Sequence, residues 1–255
     1  MTAFPQPPRT RATSKRRRKR PRKTVIGLSA AEQKKLLQRW KKWVLRIKSE
    51  VGDLVQRREI FVGLRSVLQM KPDLGRPGAL LRWMMQNYIE AATIGVRRLC
   101  DQRDDVESLS RLLRQLLQYP GVLNLTAHER LHPSDARQYA RQTFELCAGK
   151  GRSELSSRAL RQDLRRIEDS AHRIQRFVNK KVAHAAPGRQ LRRAPTFAQL
   201  SAAIKLLDEV TVRYAALLTG TEWASCAPVR QYDWRIVLLH PWLTAAELRD
   251  LGTTG

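Results

Sequence analysis

Apolar residues recur at helical spacing through most of the chain. From Leu37 onward they fall at steps of three and four, the period of one face of an α-helix. Ser29 followed by Glu32 forms a capping box, which predicts that the first helix begins there. We expect a bend or break in this helix near Gly52. The Pro- and Gly-containing stretch 71–78 is predicted to end it.

Five more helices follow by the same criterion, at about 79–100, 104–118, 134–148, 153–186 and 196–218. Asp104 and Ser134 are the predicted N-caps of the second and third of these, and Thr196 and Gly220 bound the last. No stretch alternates apolar and polar residues as a half-buried strand does. The sequence therefore predicts an all-α, up-and-down bundle of about six helices.

This bundle is expected to occupy residues 29–220 as one domain. Residues 1–28 form a separate basic arm in this prediction. Residues 221–255 form an aromatic extension with Trp223, Tyr232, Trp234 and Trp242. We expect the extension to pack over the bundle. The alternative is that it binds a protein partner or covers a dimer interface.

The charge of the chain points to a polyanionic partner. Its 255 residues include 49 Lys and Arg against 23 Asp and Glu, a net charge of +26. Ten of the basic residues lie between Arg9 and Lys23. That segment contains almost no apolar residue, so we expect a disordered arm. Nucleic acid is the predicted partner, with RNA favoured. The predicted phosphate contacts in the arm are Arg16, Arg17, Arg18, Lys19 and Arg20.

Several classes of site are not indicated. Cys100, Cys147 and Cys226 are odd in number and widely spaced, which argues against a disulfide framework and a structural zinc site and favours the reducing cytoplasm. His128 and His132 fall in a predicted loop and are interpreted as polar loop residues. No apolar window is long enough to span a membrane. No metal or cofactor is predicted, and no hydrolase or nucleotide-binding motif occurs.

The predicted helix 153–186 ends in an unusual polar cluster. Its apolar stripe continues through Val178, and the residues that follow read Asn179, Lys180, Lys181, Val182, Ala183, His184. Residues four apart share one helix face, so Arg176, Lys180 and His184 are expected to stack on one side. That face combines cations with an imidazole that titrates near neutral pH. The alternative is that His184 only interacts favourably with the helix dipole.

A second signature lies upstream. The segment 87–101 contains a tyrosine and ends in Arg-Leu-Cys-Asp, and Ser-Leu-Ser-Arg-Leu-Leu follows at 108–113. Together with the polar cluster at 179–184, it resembles the HEPN superfamily, in particular the branch related to AbiU-type abortive-infection proteins. The resemblance covers about residues 50–218. It implies an RNA-binding protein of prokaryotic defence or stress response that acts as a homodimer, with the two motif helices facing each other.

The resemblance also implies a chemistry and its residues. In it, the ribose 2′-hydroxyl attacks the adjacent phosphate without a metal, and His184 moves protons. Asn179 orients the site or donates to phosphate, and Lys180, Lys181 or Arg176 supplies the positive charge. The family carries an arginine at the position of Val178, which we accordingly expect to face the cleft. Arg97 is a further candidate, provided that the second helix packs beside the motif helix, and Arg173 is another.

Three functions remain open on the sequence. The first is the RNA-binding protein with endoribonuclease activity that the resemblance implies. The second is a non-catalytic nucleic-acid-binding or assembly module with a degenerate motif, since Val178 replaces the family arginine. The third is an antitoxin-like or scaffold protein that binds its partner through the C-terminal aromatic residues.

Overall fold

The computed structural model describes residues 28–71, 78–179, 195–239 and 247. Several predicted site residues lie outside these ranges. They are His184, Lys180 and Lys181 of the polar cluster, the basic run Arg16, Arg17, Arg18, Lys19 and Arg20, and Trp242 of the C-terminal extension.

Seven α-helices make up the described chain. They are α1 (Ala30–Met70), α2 (Ala79–Leu99), α3 (Leu109–Gln118), α4 (Leu125–Glu129), α5 (Arg137–Ala148), α6 (Ser157–Phe177) and α7 (Phe197–Thr219). Two 3-10 turns, Ser134–Ala136 and Trp234–Leu239, complete them. In the ranges that the structure describes, no strand occurs beyond one isolated bridge. The prediction of an all-α helical bundle is confirmed.

The longest helix is α1, with 41 residues. Its interface with α7 is the most extensive between any two of the described helices. Trp40, Ile47 and Val51 of α1 are buried in this core. The predicted capping box is present, because the backbone N–H of Glu32 donates to Ser29 Oγ at 3.3 Å and the Glu32 carboxylate accepts from the Ser29 N–H at 2.8 Å. The cap at Thr196 is confirmed in the same way.

The predicted break near Gly52 is wrong, since α1 runs without interruption from Ala30 to Met70. The lack of a side chain at Gly52 instead lets the segment that follows α7 pack closely against α1. A Cβ at this position would collide with the carbonyl oxygen of Cys226. The N–H of Cys226 donates to Asp208 at 2.6 Å, and the Ser225 hydroxyl donates to the same carboxylate at 2.8 Å. The glycine therefore serves a tertiary contact between α1 and the C-terminal segment.

The C-terminal segment makes further contacts with α1. They are the ammonium of Lys48 over the Trp223 ring at 4.7 Å, the ion pair of Glu59 with Arg230, and the Trp234 ring against Gly63. Both tryptophans are half-buried, whereas Tyr232 is 77 % exposed. Part of the aromatic extension thus packs on the bundle, as the sequence led us to expect of the whole.

Helix α6 is held against α3 and α7 by one apolar face and one buried carboxylate. Ile167 and Ile174 lie fully buried on the apolar face. Asp163, which is 3 % exposed, accepts hydrogen bonds from Arg213 Nη1 at 2.7 Å and from the Tyr214 hydroxyl at 3.0 Å, both on α7. Burial, together with the neighbouring Asp163, raises the pKa of Tyr214 well above its usual range. These contacts fix the rotation of α6 about its own axis.

Two predicted N-caps are wrong. Ser108, not Asp104, caps α3, because its backbone is extended and its Oγ accepts from the Arg111 N–H at 3.1 Å. Ser134 lies in a 3-10 turn, and α5 begins after it at Arg137 without a side-chain cap.

The interpretation of His128 as a polar loop residue is also wrong. Asn124 accepts from the Ala127 N–H at 2.8 Å and so caps the short helix α4 inside the predicted loop. That turn places His128 in the core with no exposed surface, where its Nδ1 donates to the carbonyl oxygen of Leu217 at 2.9 Å. Its Nε2 has no hydrogen-bond partner in the described chain. The ring of His132 lies 4.9 Å away, centroid to centroid.

Acid should destabilise the bundle through His128. Burial lowers the pKa of His128, and the bond to Leu217 opposes this shift. The folded state holds the neutral ring, so its contribution is complete above the unfolded pKa of about 6.5 and falls as the pH drops, by up to about 1.4 kcal/mol per pH unit. His128→Leu should flatten the decline of urea stability between pH 7.5 and 5.5. A decline in His128→Leu equal to that of the wild type would contradict the assignment of the acid sensitivity to His128. The control is His172→Gln, at an exposed position, which should leave the decline unchanged.

Gly52→Ala should destabilise the fold although alanine favours helices by about 1 kcal/mol. The new Cβ meets a backbone carbonyl, so the C-terminal segment must move away from α1. We expect a lower melting temperature and faster proteolysis after residue 220. Asp53→Ala, at the exposed neighbouring position, should do neither. A Gly52→Ala protein at least as stable as the wild type would show that the contact contributes nothing.

Candidate nucleic-acid interface

The exposed face of α6 carries five arginines that we call the arginine stripe. They are Arg158, Arg161, Arg165, Arg173 and Arg176. All five are exposed, and none forms a hydrogen bond or ion pair with a described residue. From the first to the last, the helix rises by about 27 Å. The stripe is therefore a straight row of free guanidinium groups on one side of the bundle.

Other arginines nearby are paired. Arg166, on the same helix, binds Glu209 at 3.2 Å, and Arg114 of α3 binds Glu168 at 2.9 Å. Asp169 is the acidic side chain exposed within the stripe. None of the five arginines forms an ion pair with Asp169 or another described acidic group, and five arginines against one aspartate leave an excess of four positive charges on this face.

Two features of the stripe oppose the stability of α6. Arg161 and Arg165 are four residues apart, and like charges at this spacing cost a helix about 0.2 to 0.5 kcal/mol. Arg158 lies in the first turn, where the helix dipole disfavours a cation. Residues that disfavour the helix in which they stand are expected at functional sites. A shallow depression of about 470 Å³ on this face is large enough for a phosphate group, and its lining is four arginines, one glutamine and one aspartate: Arg158, Arg161, Gln162, Arg165, Arg166 and Asp169.

A second basic feature lies at the C-terminal end of α6. There Arg97 of α2 donates from Nε to Asn179 Oδ1 at 2.9 Å. Asn179 and Val178 form a π turn that follows α6. Helices α2 and α6 pack together, which is the arrangement that a role for Arg97 requires. A pocket of about 290 Å³ opens beside this pair, lined by Arg97, Cys100, Asp101, Gln102, Gln175 and Asn179.

The groups in this pocket suit an anion better than a nucleophilic reaction of the protein. Arg97 uses Nε for Asn179, which leaves its two terminal nitrogens without a partner among the described residues. Two parallel N–H groups match the geometry of a phosphate. The carboxylate of Asp101 is engaged by Arg103 at 3.1 Å. Burial raises the pKa of the Cys100 thiol to about 12, so it stays protonated and unreactive near neutral pH.

Val178 does not face a cleft, and this expectation is wrong. Its side chain is 3 % exposed and belongs to the hydrophobic core. The reason is its position four residues after Ile174, on the apolar stripe that α6 buries. Arg176 is exposed, as expected, but as part of the arginine stripe. In the described part of the chain, Asn179 accepts its hydrogen bond from Arg97, and none joins it to Arg176.

Sequence reasoning missed the N-terminal half of the stripe. Arg158, Arg161 and Arg165 follow the helical spacing on the polar side of a helix that was correctly located. The signal was thus visible in the sequence. The state of pairing was not, because Arg166 pairs with Glu209 of α7 and Arg114 of α3 pairs with Glu168 of α6, and neither contact can be read from the sequence.

Neither a metal centre nor a membrane span is found in the described ranges. No three His, Cys, Asp or Glu side chains there are placed to hold a metal ion. No helix there is long and apolar enough to cross a membrane.

Comparison of the chain with family models, curated proteins and solved structures gave no match. The resemblance to HEPN proteins therefore depends on the two sequence signatures alone.

Val178→Arg should destabilise the protein rather than create an active site. It would bury a guanidinium in the core without a partner, at a cost of about 3 to 5 kcal/mol. Thermal unfolding should show a large loss of stability or no folded protein. Gln162→Arg adds the same charge at an exposed position of α6 and should leave stability nearly unchanged. A Val178→Arg protein with the wild-type melting temperature would contradict the placement of Val178.

Proposed function

We propose that this chain is an RNA-binding protein of the HEPN type that acts in prokaryotic defence or stress response. The carrying observation is the arginine stripe, five guanidinium groups without a partner in the described chain, and the Arg97–Asn179 pocket at the C-terminal end of the same helix supports it. The proposal includes a homodimer as the working form. It also includes a cytoplasmic location, which three free cysteines support.

Counterion release is the physical basis of this binding. Each arginine that neutralises a phosphate frees condensed cations, so affinity grows with the number of contacts and falls with salt. The net charge of +26 supplies a general attraction, and the ten basic residues between Arg9 and Lys23 extend it along the chain. Guanidinium groups contact phosphate without reading bases. We therefore expect tight, salt-dependent binding with little sequence preference.

RNA cleavage is the second candidate, and the Arg97–Asn179 pair favours it. In this proposal the pair binds the scissile phosphate through the free terminal nitrogens of Arg97. The ribose 2′-hydroxyl attacks phosphorus and the bond to the 5′-oxygen breaks. Neutral His184 takes the proton from the attacking hydroxyl and then, as the imidazolium, donates it to the leaving oxygen, so that a 2′,3′-cyclic phosphate and a 5′-hydroxyl result. Arg97 would then supply the charge that the family places at the position of Val178.

Burial of Val178 favours the non-catalytic alternative, in which the bundle binds nucleic acid without cutting it. An antitoxin-like or scaffold role has less support. Trp223 and Trp234 contact α1, so Tyr232 is the aromatic side chain that the described part of the extension leaves well exposed for a protein partner.

Arg97→Gln should weaken RNA binding by about tenfold, since it removes a charge-assisted phosphate contact. Fluorescence anisotropy with labelled RNA would measure the change. The matched control is Arg98→Gln, because Arg98 pairs with Glu50 at 3.1 Å and does not line the pocket. Equal affinities for Arg97→Gln and the wild type, or equal losses in both variants, would remove the pocket from the binding site.

Cleavage is tested separately by incubating the protein with total RNA in EDTA and mapping the ends. If the chain is a nuclease, both His184→Ala and Arg97→Gln should abolish cleavage while circular dichroism stays unchanged. Cleavage that persists at the wild-type rate in His184→Ala would exclude the catalytic assignment.

A further inference from the structure

The arginine stripe is a convex surface without stacking groups. Apart from the ring of His172, the exposed side chains of α6 are not aromatic, and Phe177 is half-buried against the core. Proteins that bind single strands combine a basic groove with aromatic side chains on which the bases stack. The stripe offers neither a groove deep enough for a strand nor Tyr or Trp. It can bind the sugar-phosphate backbone, but it has no Tyr or Trp on which unpaired bases could stack.

Charge density distinguishes the candidate nucleic acids. A duplex carries about one negative charge per 1.7 Å of its axis, roughly twice the density of one strand. A row of guanidinium groups about 27 Å long therefore spans a length of duplex that carries about 16 phosphates in all, against about 8 on one strand of the same length. A duplex is also stiff over this length, whereas a single strand must be ordered along it. Binding that depends on charge alone is therefore more favourable with a duplex than with a single strand.

An anionic membrane fits the same charges less well. A helix that binds membranes inserts an apolar face beside its basic one. The apolar face of α6 is buried against α3 and α7, with Leu160, Ile167 and Ile174 at most 1 % exposed. No apolar side chain of α6 is exposed next to the arginines.

We infer that the arginine stripe of α6 binds the sugar-phosphate backbone of a nucleic-acid duplex in preference to a single strand. This inference rests on the proposed nucleic-acid binding and names the form of nucleic acid that the stripe takes. The stripe contacts phosphates of the double helix from outside its grooves. The bases stay stacked and are not read.

The test uses the full chain and two probes, a labelled 20-base-pair RNA duplex and one of its strands, chosen to lack self-structure. Anisotropy titrations at several salt concentrations give the affinity and its salt slope. The stripe variant replaces Arg158, Arg161 and Arg165 by Gln. The control variant replaces Arg57, Arg82 and Arg137, which are exposed on α1, α2 and α5 without an ion pair to a described residue. Both variants lose three charges.

We expect the wild type to bind the duplex about tenfold more tightly than the strand. The stripe variant should lose most of this preference, and its slope on the duplex should fall by about 2 to 3, near 0.9 for each lost phosphate contact. The control should keep the preference.

Three results would overturn the inference. A stripe variant that behaves like the control would show that the stripe is not the contact surface. Equal losses on strand and duplex would leave nucleic-acid binding standing without the preference. A wild type that binds neither probe would refute the proposed function itself. Circular dichroism of each variant confirms that the comparison is between folded proteins.

Discussion

The buried carboxylate of Asp163 is the interaction on which the presentation of α6 depends. Apolar contacts are not directional, so an apolar stripe alone restricts the rotation of a helix only loosely. A carboxylate that is 3 % exposed and accepts from both Arg213 and Tyr214 of α7 allows much less freedom. Leaving such partners without their charge costs about 3 to 5 kcal/mol. The pair of helices is therefore locked in one rotation.

That rotation decides what faces solvent. With Asp163 and Ile167 turned inward, the arginine stripe lies on the outside, and Asn179 reaches Arg97 at the end of the helix. The core and the candidate interface are thus two faces of the same helix. Like-charge neighbours along the stripe lower the stability of α6 by themselves, and the buried seam with α3 and α7 offsets this cost.

Much of the fold could be read from the sequence, because helical periodicity and capping are local. The capping box at Ser29, the N-cap at Thr196 and the end at Gly220 were predicted correctly for this reason. The misinterpretations came from tertiary contacts. Gly52 looked like a break and is a contact point for Cys226, and His128 looked like a loop residue and is buried against α7. Neither partner is near in sequence, so no local pattern could reveal it.

The candidate site shows the same division. Periodicity placed Val178 on the apolar stripe, which is where it lies, whereas the family pattern assigned it to a cleft. The helical spacing of the arginines of α6 was sufficient to predict a basic face. Which of them stay unpaired depends on tertiary contacts, such as that of Arg166 with Glu209 of α7, and the structure was needed to distinguish Arg165 from Arg166.

The most direct test of the central claim is chemical modification of arginines, read residue by residue by mass spectrometry, with and without an RNA duplex. If the stripe is the contact surface, its arginines should be protected by the duplex while Arg57, Arg82 and Arg137 react as before. Uniform protection across the surface, or protection that spares α6, would contradict the claim that the locked rotation of this helix presents the binding face.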